Sequence, residues 1–119
     1  MTVEQIAARL AELCRQEQFS VAQKELYADD AVSIEPHDIP GFDRETKGLA
    51  ALKEKDKKFN AMLEARYGTT VSTPLVAGNA IAFVLTMDIK MQGRERESVR
   101  ELCVYQVKDG KIISEQFFI

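Results

Sequence analysis

Apolar residues recur at Val3, Ile6, Ala7, Leu10, Leu13 and Cys14, the spacing that lays one buried stripe along a helix. Thr2 followed by Gln5 has the form of a capping box, in which side chains satisfy the orphan N–H groups of a helix start. Ser20 with Gln23 repeats that signature and predicts a second, shorter helix carrying Val21, Ala22 and Leu26 to about Tyr27, ended by Asp29-Asp30. Alternation takes over at AVSIE (31–35), which puts Val32 and Ile34 on one strand face and Ser33 and Glu35 on the other. PHDIPGFDRETKG holds two of the three prolines and reads as a loop. Thr46 announces a third helix running to about Ala65 or Arg66, with Leu49, Leu52, Phe59, Met62 and Leu63 as its apolar side.

Beyond that helix the period is two. TTVSTPLVAG (69–78) is strand-like, but Pro74 cannot donate to a ladder and marks a bulge or a sheet edge. AIAFVLTMDIKM (80–91) is the strongest strand, with Ile81, Phe83, Leu85, Met87, Ile89 and Met91 all on one face. Gln92-Gly93 and Asp109-Gly110 are hairpin signals, the second suited to a type I′ turn. With two-residue turns at both, counting pairs Phe83 with Leu102, Ile81 with Val104, Leu85 with Arg100 and Val104 with Glu115 on the apolar face. Glu101, Cys103 and Gln116 then fall on the opposite face, and a one-residue bulge would exchange the two sets beyond it.

Three helices followed by most of an antiparallel sheet make one α+β domain over residues 1–119, with the helices packed on one sheet face. Composition adds exclusions. A formal net charge of −3 argues against a nucleic-acid partner, whose affinity rests on clustered cations. The lysine run KEKDKK (53–58) is interleaved with Glu54 and Asp56 and reads as a solvated helix face. No apolar run is long enough for a membrane helix, and the start MTVEQIAARL lacks the pattern of a signal peptide, so a cytoplasmic protein is expected. Cys14 and Cys103 lie among apolar residues, outside any CxxC motif, and are read as buried reduced thiols.

Three segments carry a resemblance. YADDAVSIEP (27–36), TKGLAALKEK (46–55) and above all VYQVKDGKIISEQFF (104–118) are similar to the helix-to-strand passage, third helix and closing hairpin of the nuclear transport factor 2-like superfamily, in its SnoaL-like or ketosteroid isomerase-like branch. The resemblance implies a cystatin-like cone: a curved, mostly antiparallel sheet wrapped around three helices, with an apolar pocket at its open end and a homodimer built on the outer sheet face. It also implies a range of activities, from isomerases, epoxide hydrolases, polyketide cyclases and dehydratases to non-catalytic binding domains. The epoxide hydrolase type carries an Arg-x-Asp strand motif. Here Arg100 is followed by Glu101 and Leu102, so that chemistry is not expected.

Glu115 is the sharpest candidate for catalysis, because a carboxylate on the apolar face is desolvated and its pKa is pushed toward the range useful for acid-base work. Arg100 on the same face would pair with it or hold an anionic group of a substrate. His37, the only histidine, titrates near neutrality and is a second candidate proton carrier in the loop after Glu35. Tyr27 would either point its hydroxyl into the pocket or sit in the core with a backbone partner, and Glu35, Phe59, Phe83 and Phe117 would complete the substrate-binding set. Glu35, His37 and Asp38 have no partner pair at metal-ligand spacing, so neither metal nor cofactor is expected. The expected protein binds a small, mostly apolar molecule, with isomerase, cyclase or dehydratase chemistry through Glu115 or His37. The alternative is a non-catalytic ligand-binding or dimerisation domain.

Overall fold

The computed structural model describes residues 1–119 and consists of helices α1 (Val3–Arg15), α2 (Phe19–Leu26) and α3 (Leu49–Met62), and strands β1 (Tyr27–Ile34), β2 (Glu45–Lys47), β3 (Leu63–Val71), β4 (Leu75–Ala77), β5 (Ala80–Met91), β6 (Glu97–Lys108) and β7 (Lys111–Phe118). The capping box of α1 is complete, with Thr2 N donating to Gln5 Oε1 at 2.8 Å and Gln5 N to Thr2 Oγ1 at 3.1 Å. The second capping box does not form. The α2 helix starts two residues early at Phe19, behind Gln18, which makes no side-chain cap, and Gln23 is drawn inward and buried. Asp29-Asp30 lie within β1, in the irregular stretch between Tyr27 and Val32.

The expected third helix is trimmed at both ends. Thr46 belongs to β2, and Gly48, at φ 96°, turns the chain into α3 from a backbone conformation that glycine alone adopts cheaply. At its other end the chain passes straight into β3, so Leu63 to Arg66 are extended. Pro74 acts as expected: it falls between β3 and β4, which lie along the same edge of β5. Ser72 bridges the interruption, its backbone N donating to Val84 O at 2.9 Å and its hydroxyl accepting from Val84 N at 2.8 Å.

The sheet runs β2-β1-β7-β6-β5-β3. It is mixed, because β1 and β7 are parallel while the other pairs are antiparallel. It curves without closing, and α1 and α2 pack Ile6, Leu10, Leu13, Ala22 and Leu26 onto Ile81, Phe83, Leu85, Tyr105 and Ile112 of its inner face. No helix is long and apolar enough to cross a membrane.

The two hairpins depart from the count in opposite-looking ways. Asp109 and Gly110, at φ 52° and 75°, form the two-residue turn between Lys108 and Lys111. One extra residue then enters β7 at Ile113, so Val107 faces Ile112 but Gln106 faces Ser114. The other hairpin has no two-residue turn at Gln92-Gly93. Residues 92–96 connect the strands, and Phe83 faces Cys103, Ile81 faces Tyr105 and Leu85 faces Glu101. Each departure shifts register by one. For β6 the effect is a complete exchange of faces, which carries Arg100 and Leu102 outward and Glu101 and Cys103 inward. For β7 the two shifts cancel, and Glu115 keeps its expected place on the inner face.

Candidate functional site

Five elements meet around Glu115. The parallel ladder of β1 and β7 sets Ser33 directly beside it, and the start of β1 brings Tyr27 to the same carboxylate. Tyr27 donates its hydroxyl to Glu115 Oε1, and Ser33 Oγ donates to Oε2 at 2.8 Å. All three side chains are buried, Ser33 completely. From α3, Lys55 reaches down to donate to Ser33 Oγ at 2.8 Å and to Glu35 Oε1 at 2.6 Å. Its ammonium also lies 5.9 Å from the centre of the Phe117 ring, at the outer limit of a cation–π contact. One residue along α3, Asp56 accepts from Gln23 of α2 at 2.7 Å. Tyr105 closes the floor against Phe83, their rings 5.3 Å apart.

Electrostatics follows from this burial. Removal from water pushes Glu115 above the ordinary carboxylate range, opposed by the hydrogen bonds from Tyr27 and Ser33 and by the charge of Lys55. Glu101, carried inward by the register of β6, is pushed up to about 7, first by burial and then by the charges of Glu35 and Glu115. Its only side-chain partner is the Cys103 thiol, at 4.0 Å, so its oxygens are free to meet a ligand. Burial raises Asp56 as well. It raises Tyr27 and Tyr105 well above the ordinary phenol value, which keeps both hydroxyls neutral donors at neutral pH. The thiols are reduced and buried, Cys14 pushed up to about 12 and Cys103 higher still, chiefly by burial. Neither is a nucleophile at neutral pH.

Tyr27, Glu35, Phe117 and Glu115 therefore come together. Phe83 is in the core beneath them, and Phe59 is half-buried on α3. Arg100 does not join them: it faces Thr86 across the ladder on the outer face and is exposed, because the longer β5–β6 connection turned its strand over. His37 is exposed in the segment between β1 and β2. No group of three His, Cys, Asp or Glu side chains is arranged to hold a metal ion.

Ser33, Lys55 and Glu101 were not singled out as site residues from the sequence. For Lys55 a signal existed. Leu52, Lys55, Asp56 and Phe59 fall at the i, i+3, i+4, i+7 spacing of a helix's buried stripe, so two members of the KEKDKK run occupy positions that point at the sheet. An open groove of about 680 Å³ runs beside α3, lined by Gly41, Phe42, Thr46, Glu54, Lys55 and Lys58 among others. Lys55 thus belongs both to the groove and to the buried cluster.

The SnoaL-like domain family matches residues 1–119. The chain belongs to that family. Across the whole of both chains it shares 31% identity and a TM-score of 0.93 with a protein from Mesorhizobium loti named as a candidate SnoaL-like polyketide cyclase. At lower identity the fold persists. A nuclear transport factor 2-like protein of unknown function from Burkholderia pseudomallei is 10% identical with a TM-score of 0.83, over 100% of this chain and 92% of that one. TerC, crystallised with polyporic acid, is 12% identical with a TM-score of 0.81, over 99% and 92%. No curated protein sequence matches. SnoaL-like and nuclear transport factor 2-like proteins are often cyclases or isomerases.

Proposed function

We propose that this SnoaL-like protein binds a small, mostly apolar molecule at the wide end of its cone and moves a proton on it, as an isomerase, cyclase or dehydratase, with Glu115 as the acid-base group. The observation that carries this reading is the Glu115 carboxylate, 6% exposed on the inner sheet face, raised by burial and held by two hydroxyls in one orientation. A carboxylate so placed has a pKa closer to the working pH and a fixed direction of attack, both of which favour proton transfer. Glu101, half-protonated near pH 7 and without a strong partner, supplies an O–H donor for an oxyanion developing on the substrate. Phe117 offers it an apolar wall. The likeness to a candidate polyketide cyclase supports the same class of chemistry.

A non-catalytic binding domain is the second reading, favoured by the fact that both oxygens of Glu115 already accept hydrogen bonds within the chain. Thermal-shift screening with ketosteroids, terpenoids and polyketide fragments would identify a ligand. With it in hand, Glu115→Gln should lower turnover by about two to four orders of magnitude while sparing binding. Turnover unchanged in that variant would take Glu115 out of the chemistry, and binding without any turnover would establish the second reading.

The assembly belongs to the same proposal. The outer face of the sheet exposes Leu75, Leu102 and Phe118 at 74%, 41% and 46%, around Val84 opposite Leu102. Large apolar side chains in water mark an interface. A homodimer joined by this face through a two-fold axis would cover them and leave the cone mouths free.

A further inference from the structure

A buried carboxylate can trade protons with water only along a chain of hydrogen bonds. Glu115 has no direct route, being 6% exposed, and its hydrogen bonds lead in two directions only. Toward Tyr27 the path stops, because the phenol is itself buried and holds its proton firmly. Toward Ser33 it continues. The Ser33 hydroxyl donates its single proton to Glu115 Oε2 at 2.8 Å and accepts a proton from Lys55 Nζ at 2.8 Å, so the two bonds run head to tail. Lys55 in turn lines the open groove beside α3, and its side chain is 14% exposed.

We propose that Lys55 and Ser33 form a proton relay joining the buried Glu115 carboxylate to water in the groove beside α3. The proposal deepens the reading of Glu115 as an acid-base group and rests on it. In the charging direction an ammonium N–H bond of Lys55 breaks as an O–H bond forms at Ser33. The original Ser33 O–H bond breaks as one forms at Glu115 Oε2. Lys55 is left as a neutral amine, Glu115 as a neutral acid, and the amine then takes a proton from groove water. The reverse sequence discharges the acid. Glu35, bonded to Lys55 Nζ at 2.6 Å, keeps the amine in line with Ser33 throughout.

Several charged or titratable groups face this chain. From α3 these are Lys55 itself, which lowers Glu115, and Asp56, which raises it. From β1 and the residue after it come Tyr27 and Glu35, and from β6 comes Glu101, whose charge couples to both Glu35 and Glu115. Cys14 of α1 and Cys103 and Tyr105 of β6 complete the surroundings, and none of these three ionises at neutral pH. None of them but Tyr27 is hydrogen-bonded to Glu115, so Ser33 is the step that can be cut.

The test is a pH jump followed by time-resolved infrared spectroscopy of the Glu115 acid carbonyl, assigned by its disappearance in Glu115→Gln. Ser33→Ala should slow protonation of Glu115 by at least about tenfold, and Ser33→Thr, which keeps a hydroxyl, should restore it. Lys55→Arg keeps the charge but holds a guanidinium that does not release a proton, so it should be as slow as Lys55→Met. Wild-type rates in Ser33→Ala or in Lys55→Arg would overturn the relay, the second by reducing Lys55 to a source of charge. If Ser33→Ala does not fold, the two Lys55 variants, whose site lies at the groove, decide alone. The readout needs no substrate. Relay kinetics without turnover would retire the proposed activity only, and turnover lost in Glu115→Gln with wild-type kinetics in Lys55→Arg would retire the relay only.

Discussion

The two faces of β5, β6 and β7 are built from alternate residues of the same strands, yet each is marked by what it ought not to carry. On the inner face Ile81, Phe83, Leu85, Cys103, Tyr105 and Ile112 are buried, and the anomaly among them is a carboxylate, Glu115. On the outer face Thr86, Arg100 and Gln116 are unremarkable beside water, and the anomalies are Leu102 and Phe118. A buried polar group and an exposed apolar patch are the informative departures from ordinary burial, and a scattered surface charge is not. The inner anomaly is held in place by Tyr27 and Ser33, as a buried ionisable group must be. Nothing in the chain covers the outer one. The proposed chemistry therefore belongs inside and the proposed association outside, and the five substitutions below test that division.

The largest effect should come from packing. Phe83→Ala opens a cavity in the core and should cost about 3–5 kcal/mol in denaturant unfolding, while its neighbour Val84→Ala, on the half-exposed outer face, should cost under about 1 kcal/mol. Equal costs would mean that the faces of β5 are not as described. Next is Glu101→Gln. The folded value of Glu101 is about 7 against an ordinary 4.5, so the native chain keeps a proton that the unfolded chain has already lost between those pH values. Its contribution to stability is complete below 4.5 and lost as pH rises through 7. The amide should accordingly stabilise the protein by roughly 2 kcal/mol near pH 8 and change little near pH 4, as read by denaturant unfolding at the two pH values. A pH-independent effect would put Glu101 in solvent.

On the outer face, Leu102→Glu should leave the fold intact and weaken the proposed dimer by at least about tenfold in sedimentation equilibrium; an unaltered association state would move the interface elsewhere. Arg100→Ala should have the smallest effect of all, with unfolding unchanged and ligand binding at the wild-type level. A loss of binding would return Arg100 to the site and contradict the register of β6.

Much of this fold was legible in the pattern of residues. The stripe of α1 and its capping box, the strand Ala80–Met91, the interruption at Pro74 and the Asp109-Gly110 turn are local features, each specified within a few residues by periodicity or backbone preference. So is the general architecture that groups them. Glu115 was also found, though by a count containing two errors that cancel at β7. Arg100 and Glu101 exchanged roles because side-chain direction in a strand has period two, and any odd change in a connection reverses it. The apolar alternation that normally pins a register is weak in β6, where Val99, Cys103, Tyr105 and Val107 on one face compete with Leu102 and Val104 on the other. Only pairing with β5 and β7 settles which set goes inward.

Lys55 shows the same limit in a helix. Its charge suggested solvent and its spacing suggested the core, and the conflict was resolved by residues distant in sequence, Ser33 and Glu35, which supply the acceptors that make a half-buried ammonium affordable. By itself the sequence determined most of the elements, the family and one buried carboxylate, because these depend on local geometry and on patterns that run within single segments. The faces of β6, the inward turn of Lys55 and the chain of hydrogen bonds from Lys55 through Ser33 to Glu115 were decided only by the tertiary structure, because each depends on the register and approach of segments that meet only when the sheet has formed.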